Sequence, residues 1–264
     1  LRLRFVDPQF GRVHDRMTGF GLCHTPQLFD VDGDGVNELF LGRTTCRADG
    51  EVLWEIDTEE FSPAQIDHVD SLAVGDLDED GRFEVAVSNA ASLFDAHSGE
   101  LLWQHPDLVH HGQQLRVARV RDDVEGEQIL VRAAKRGAVQ IFSADGHLLE
   151  SLEHGGMLCP LNWLGNGLRQ ISLGGAVLDG HGRKVATLPV ARAATESGHA
   201  FPPEDPESWG HTMTCDVDGD GLEEVIWLSK TCLAVFGNPD PPEDPEGVER
   251  DREYWLGVAN ATRY

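Results

Sequence analysis

One nine-residue pattern stands three times in the chain: Asp-Val-Asp-Gly-Asp-Gly-Val-Asn-Glu from Asp30, Asp-Leu-Asp-Glu-Asp-Gly-Arg-Phe-Glu from Asp76, and Asp-Val-Asp-Gly-Asp-Gly-Leu-Glu-Glu from Asp216. Carboxylates at positions one, three and five set out oxygen ligands for a hard cation: Asp30, Asp32 and Asp34, then Asp76, Asp78 and Asp80, then Asp216, Asp218 and Asp220. Position seven offers a backbone carbonyl, from Val36, Arg82 or Leu222, and position nine adds Glu38, Glu84 or Glu224. Glycine at position six, Gly35, Gly81 or Gly221, admits a turn that a Cβ resists. Four carboxylates crowded together without a counter-charge would repel one another, so the pattern predicts three calcium sites.

An EF-hand would need a bidentate Glu at position twelve between two helices. Position twelve is Leu41, Val87 or Trp227, and the residues after each loop alternate as strands do. The loops are therefore expected to join β-strands. Aligned on the strand that follows, Arg119-Val120-Arg121 and Asn162-Trp163-Leu164 stand where Asp76-Leu77-Asp78 stands, which gives five units starting at 30, 76, 119, 162 and 216. Spacings of 46, 43, 43 and 54 residues belong to four-stranded propeller blades. The second half of each unit recurs too, as Phe94 to Trp103, Arg47 to Trp54 and Ser143 to Glu150, a hairpin with an Asp-Gly type of turn. The fold class expected is all-β, a propeller of five to six blades with calcium-binding hairpin loops.

These residues resemble calcium-loop propellers of the FG-GAP kind, over residues 20 to 236. The run from Cys215 to Pro239, with the closing Asn260 to Tyr264, is similar to the C-terminal blades of rhamnogalacturonan lyases and related polysaccharide lyases. The resemblance implies a calcium-binding propeller acting on a uronate-containing polysaccharide. A fold does not by itself carry an activity, so the chemistry has to come from particular residues.

The 264 residues suffice for one sizeable core, and the sequence reads as a single domain, 1–264, with units near 20–62, 63–107, 108–151, 152–205 and 206–245 and a partial blade from 1–19 and 246–264. The chain opens on Leu1 and has no apolar run of signal or membrane-span length, so either a leader was removed or the sequence is a fragment. Calcium loops suggest an extracellular or periplasmic setting. A net charge of −25 argues against nucleic acid or an anionic membrane as partner. Five cysteines without CxxC spacing read as thiols and not as a disulfide framework. The stretches 191–210 and 238–246 read as surface excursions.

Propeller geometry would put the calcium hairpins on one face and the loops entering each innermost strand on the other. At that second mouth His68, His111 and His154 share one register, each eight residues before a unit start. Asp70, Gln113 and His110 join them on the entering loops, with His24 and His211 from other units, and Arg43, Asn89, Arg132, Lys135 and Arg136 follow the second strands. Imidazoles and guanidinium groups gathered in so acidic a chain suit an anionic ligand. The candidate catalytic residues are His111, His68, Lys135 and Arg136, and the candidate substrate-binding residues His154, Asp70, Gln113, Arg43 and Asn89.

GxSxG, HExxH and GxxxxGK[ST] patterns are absent, so serine-hydrolase, zinc-protease and nucleotide-binding chemistry have no support. Two readings remain: a lyase that cleaves a uronate polysaccharide by β-elimination, and a non-catalytic carbohydrate-binding or adhesion module. With only two tyrosines, Tyr254 and Tyr264, a lyase would have to use histidine as acid and base.

Overall fold

The computed structural model describes residues 2–6, 13–17, 22–56, 68–134, 137–153, 156–190, 192, 211–228 and 232–247. Every described sheet is small, and successive strands mostly lie side by side. A hairpin pairs β1 (Arg2–Val6) with β2 (Val13–Met17). The next strands are β3 (Leu22–Phe29), β4 (Glu38–Gly42), β5 (Thr44–Cys46), β6 (Val52–Glu55) and β7 (His68–Val69), ordered β6-β5-β4-β3-β7. After them come β8 (Leu72–Gly75), β9 (Glu84–Val87), β10 (Ser92–Asp95) and β11 (Leu101–Trp103), a four-stranded meander. A second meander holds β12 (Gly112–Ala118), β13 (Gln128–Ala133), β14 (Val139–Phe142) and β15 (Leu148–Leu152). A third holds β16 (Cys159–Leu161), β17 (Gln170–Leu173), β18 (Ala176–Leu178) and β19 (Lys184–Thr187). The last sheet has three strands, β20 (His211–Cys215), β21 (Glu224–Leu228) and β22 (Leu233–Phe236). The nine-residue patterns connect β3 to β4, β8 to β9 and β20 to β21, as antiparallel hairpin loops.

Segments rich in Val, Ile, Leu and Phe form these strands; β9 and β14 are buried along their whole length, whereas β22 alternates exposed and half-buried residues. The chain divides into two compact units, one made of Leu1–Val117, Ile129–Ala134 and Phe142–His147, the other of Ala118–Gln128, Lys135–Ile141 and Leu148–Tyr264.

In the first unit one core cluster includes Phe40, Trp54, Val69, Val85, Val87 and Phe94, and another Ala86, Leu93, Leu115, Ile129, Val131 and Phe142. Tryptophan stitches one repeat to the next. Trp54 Nε1 donates to the Ala96 carbonyl at 3.0 Å, and Trp103 Nε1 donates to that of Ala144 at 2.8 Å. The indoles lie against Gly99 and Gly146, where a Cβ would approach within 2.8 Å, which accounts for the Asp-Gly and Ser-Gly turns of the repeated hairpins. Polar side chains bridge neighbouring repeats as well, Gln27 Nε2 donating to the Leu72 carbonyl at 2.9 Å and Ser71 Oγ to that of Leu115 at 3.2 Å.

The second unit packs Leu161, Trp163, Val177, Val225 and Trp227 into its own cluster. Thr214 Oγ1 donates to the Pro160 carbonyl at 3.0 Å and the Glu223 N–H to that of Asn162 at 2.9 Å, which joins β20 and its loop to the hairpin before it. The partial blade expected from the termini, residues 191–210 apart from Arg192, and the tyrosines Tyr254 and Tyr264 lie wholly or mainly outside the described residues.

Candidate functional site

The centre of the site is built by one short parallel pairing. Leu22 of β3 lies opposite His68 of β7, and Cys23 opposite Val69. One step further along both strands, His24 and Asp70 emerge side by side. Asp70 is buried, its side chain 4% exposed, whereas those of His24, His68 and His111 are 34%, 35% and 24% exposed. A sequestered carboxylate thus faces three imidazoles that are open to solvent. His24 Nδ1 lies 3.0 Å from Asp70 Oδ1, His111 Nε2 lies 2.7 Å from Oδ2, and His68 Nε2 lies 3.7 Å from Oδ2. His24 stacks on His68 with centroids 5.0 Å apart and planes 12° from parallel, and His68 meets His111 edge to face at 5.1 Å.

An ionised carboxylate can only accept hydrogen bonds, so the nitrogens nearest Asp70 carry the hydrogens. In the neutral rings Nε2 of His24 and Nδ1 of His111 then hold the lone pairs. A buried carboxylate thereby orients the imidazoles that hydrogen-bond to it. His24, His68 and Asp70 also offer three ligand atoms within 4.8 Å of one another, two imidazole nitrogens and a carboxylate oxygen.

The surroundings sort the other expected residues. Asn89 is fully buried, and its Nδ2 donates to the His68 carbonyl at 2.9 Å. Gln113 accepts from the Arg132 guanidinium at 3.4 Å, and Gln114 accepts from Arg132 Nε at 2.7 Å. Arg43 is buried and pairs with Glu55. Lys135, Arg136 and His154 lie outside the described residues. The structure therefore brings together His111, His68, Asp70 and Asn89, and gives His24 a place at the centre that the shared register does not assign to it. Cys23 is adjacent, and burial pushes its thiol up to about 11. Native protein treated with iodoacetamide near pH 8 should leave Cys23 unlabelled until it unfolds, because the thiolate is the reactive form. Rapid labelling in the native state would contradict this placement.

The three acidic loops share one internal hydrogen-bond scheme. The N–H groups of Gly35, Gly81 and Gly221 donate to Oδ2 of Asp30, Asp76 and Asp216 at 2.9, 3.1 and 3.1 Å, with the glycines at φ of +87°, +87° and +92°. Those of Val31, Leu77 and Val217 donate to Oε2 of Glu38, Glu84 and Glu224 at 3.0, 2.8 and 2.8 Å. Oxygens of Asp30, Asp32 and Glu38 converge within 4.8 Å, as do those of Asp76, Asp78 and Glu84 and those of Asp216, Asp218 and Glu224. Asp34, Asp80 and Asp220 close the turn by accepting from the N–H groups of Val36, Arg82 and Leu222. Asp76 Oδ1 is buried with no partner among the described residues. Burial, reinforced by Asp78, Asp80 and Asp76, pushes Glu84 up to about 7, and burial raises Glu224 as well. An all-oxygen donor set with an unanswered buried acceptor fits a hard divalent cation.

The two remaining units keep this scaffold but lose most of its carboxylates, to Arg119, Arg121 and Gln128 in one and to Asn162, Leu164, Asn166 and Gln170 in the other. In the loop from Asn162, the Trp163 N–H donates to Gln170 Oε1 at 2.9 Å, the bond that glutamate makes elsewhere. Asn162 accepts from the Gly165 N–H and Asn166 from that of Leu168. Asn162, Asn166 and Gln170 thus stand at the positions of Asp216, Asp220 and Glu224. Asn162 Nδ2 donates to the carbonyls of Gly221 and Glu246, and Arg169 pairs with the buried Glu223, so donors and a guanidinium occupy this corner. In the loop from Arg119, the N–H groups of Val120 and Arg121 donate to Gln128 Oε1 at 2.8 and 2.9 Å, and Arg121 pairs with Asp123.

Residues 9–262 match the family described as rhamnogalacturonan lyase family 11, C-terminal domain. The chain belongs to this family. Over 255 residues it is 26% identical to the rhamnogalacturonan endolyase YesW of Bacillus subtilis (strain 168), an alignment that takes in 89% of this chain and 37% of that protein. The solved Bacillus licheniformis rhamnogalacturonan lyase PL11 has a TM-score of 0.61 at 20% identity, over 96% of this chain and 44% of the other. The exotype rhamnogalacturonan lyase YesX has a TM-score of 0.53 at 18% identity, over 96% and 46%. This member of the family therefore spans less than half the length of these relatives. The likeness in structure is one of fold, all-β with several small sheets. No helix among the described residues is long and apolar enough to cross a membrane.

Proposed function

We propose that this family 11 chain carries the reaction centre of a polysaccharide lyase that cleaves a rhamnogalacturonan-type polymer at a uronate residue by β-elimination. The observation that carries the proposal is the buried Asp70 with three imidazoles on it. In the reaction the electrons of the C5–H bond form the C4=C5 double bond, the bond from C4 to the glycosidic oxygen breaks, and that oxygen takes up a proton. His111 Nδ1 accepts the C5 proton while its Nε2–H stays on Asp70. His68, in edge contact with His111, returns a proton to the leaving oxygen. Lys135 and Arg136 are assigned to the uronate carboxylate, where cations stabilise the charge that develops. They follow Ala134, whose N–H holds the His111 carbonyl at 2.7 Å. Gln113 and His154 are assigned to the sugar, whereas Asn89 and Arg43, expected beside them, are buried and taken up by the His68 carbonyl and by Glu55.

The loops from Asp30, Asp76 and Asp216 are read as three calcium sites, with Val36, Arg82 and Leu222 giving backbone carbonyls. Calcium bound there would neutralise the acidic clusters and stiffen the hairpins, with no part in the chemistry. The recurring meanders at the repeat spacing support reading the sheets as propeller blades in one domain. Calcium loops favour an extracellular or periplasmic location.

Incubation with rhamnogalacturonan, homogalacturonan and alginate in calcium tests the proposal. Ultraviolet absorbance of an unsaturated uronide should grow with rhamnogalacturonan. A polymer bound and left intact would favour the alternative, a non-catalytic carbohydrate-binding or adhesion module.

A further inference from the structure

Between β9 and β10 the chain makes a tight turn, Asn89–Ala91, in which two alanines take left-handed backbone angles, φ 54° at Ala90 and 43° at Ala91. Such angles are costly for residues with a Cβ, and they persist where the surroundings impose them, commonly at functional sites. Here the surroundings are explicit. The His105 N–H donates to the Ala90 carbonyl at 2.7 Å, Ser92 Oγ donates to the Asn89 carbonyl at 2.7 Å, and the Ala91 N–H donates to that of Ser88.

This turn touches both histidine-bearing segments. Asn89 Nδ2 holds the His68 carbonyl. On the other side, the Ser88 carbonyl lies so close to Gly112 that a Cβ there would stand 1.9 Å from its oxygen, and Gly112 follows His111. The turn is thus wedged between the backbones that carry His68 and His111. Asn89 itself is poorly suited to be mere filling, because its Oδ1 is buried with no partner among the described residues, a cost an apolar residue would avoid. In the same register, five residues after the first residue of the strand that follows each loop (Glu38, Glu84 or Gln128), the neighbouring repeats carry Arg43, which engages Glu55, and Ala133. Only the unit that holds His68 uses a short amide there, and that amide reaches the histidine's own carbonyl.

We infer that Asn89 is a positioning residue: with the turn that follows, it fixes the spacing of His68 and His111 over Asp70. The inference rests on the proposed lyase centre for its meaning but not for its test. Asn89→Ala removes the donor to His68 and the unanswered oxygen together, so the melting temperature should stay within a few degrees. At a fixed pH the imidazole nitrogen resonances of His68 and His111 should move, while those of His147, an exposed side chain paired with Asp145, stay in place. With rhamnogalacturonan, kcat should fall by roughly 10- to 100-fold and KM change little, as expected when reacting groups are displaced by an ångström or less. Ala91→Gly, which relaxes the turn and leaves Asn89 intact, should move the same resonances in a protein at least as stable, and it carries the test if Asn89→Ala fails to fold. Resonances of His68 and His111 unchanged in both variants would overturn the inference. Shifted resonances in a protein that cleaves no polymer would uphold it and count against the lyase reading alone.

Discussion

Replacing His111 with glutamine lowers turnover by about two to four orders of magnitude, the usual contribution of a general base, and leaves KM and the melting temperature close to those of the parent. Glutamine keeps an amide N–H able to reach Asp70 Oδ2, so the buried carboxylate is not stripped of its partner. What it lacks is the second nitrogen, the lone pair that Asp70 exposes by fixing the tautomer. Asp70→Asn should also be severe for a different reason: an amide can donate to His111 as well as accept from it, and the imidazole orientation is no longer dictated. Rates of uronide formation across a polymer concentration series check both. Full activity in His111→Gln would remove His111 from the chemistry.

Metal removal produces the second large effect. A ligand that binds only the folded state stabilises it by about 2.7 kcal/mol per site at a hundredfold excess over its dissociation constant. Three such sites together supply about 8 kcal/mol, comparable with the whole stability of an ordinary domain, roughly 5–15 kcal/mol. A chelator should therefore lower the melting temperature by many degrees, and excess calcium should restore it. Elemental analysis of dialysed protein should return three ions, from the loops at Asp30, Asp76 and Asp216. The loops at Arg119 and Asn162 should add none, because Arg119 and Arg121 in one and Asn162 and Leu164 in the other stand in place of carboxylates, with Gln128 and Gln170 in place of the closing glutamate. Asp78→Ala should lower stability before it affects catalysis. Melting unchanged by chelator, or fewer than two ions per chain, would contradict the calcium reading.

Much of this was legible in the sequence because it is local. Nine consecutive residues fix each acidic loop, and a strand that follows at a constant offset fixes its hairpin. Equal registers in successive repeats also place equivalent residues near one another, which is why His68 and His111 meet. His24, six residues before its unit start, is expected at the same mouth from another unit, and the parallel pairing of β3 with β7, a long-range contact that no repeat alignment displays, seats it on Asp70. The bond from Asn89 to the His68 carbonyl is hidden for the same reason. The amide loops had a signal that residue-by-residue comparison of carboxylates passes over: Asn162, Asn166 and Gln170 align with aspartate, aspartate and glutamate, each exchanged for its amide. Arg43 and Gln113 carried the right chemistry for an anionic ligand, and the structure shows them engaged by Glu55 and Arg132.

The imidazoles on Asp70 are expected to perform an elimination on a bound uronate. Ultraviolet absorbance, followed with parent protein and His111→Gln at matched occupancy of rhamnogalacturonan, tests it most directly. Both proteins should bind the polymer, and the absorbance of the unsaturated uronide should rise about a hundredfold faster or more with the parent. Equal slopes, or polymer bound by both proteins with no unsaturated product from either, would contradict it.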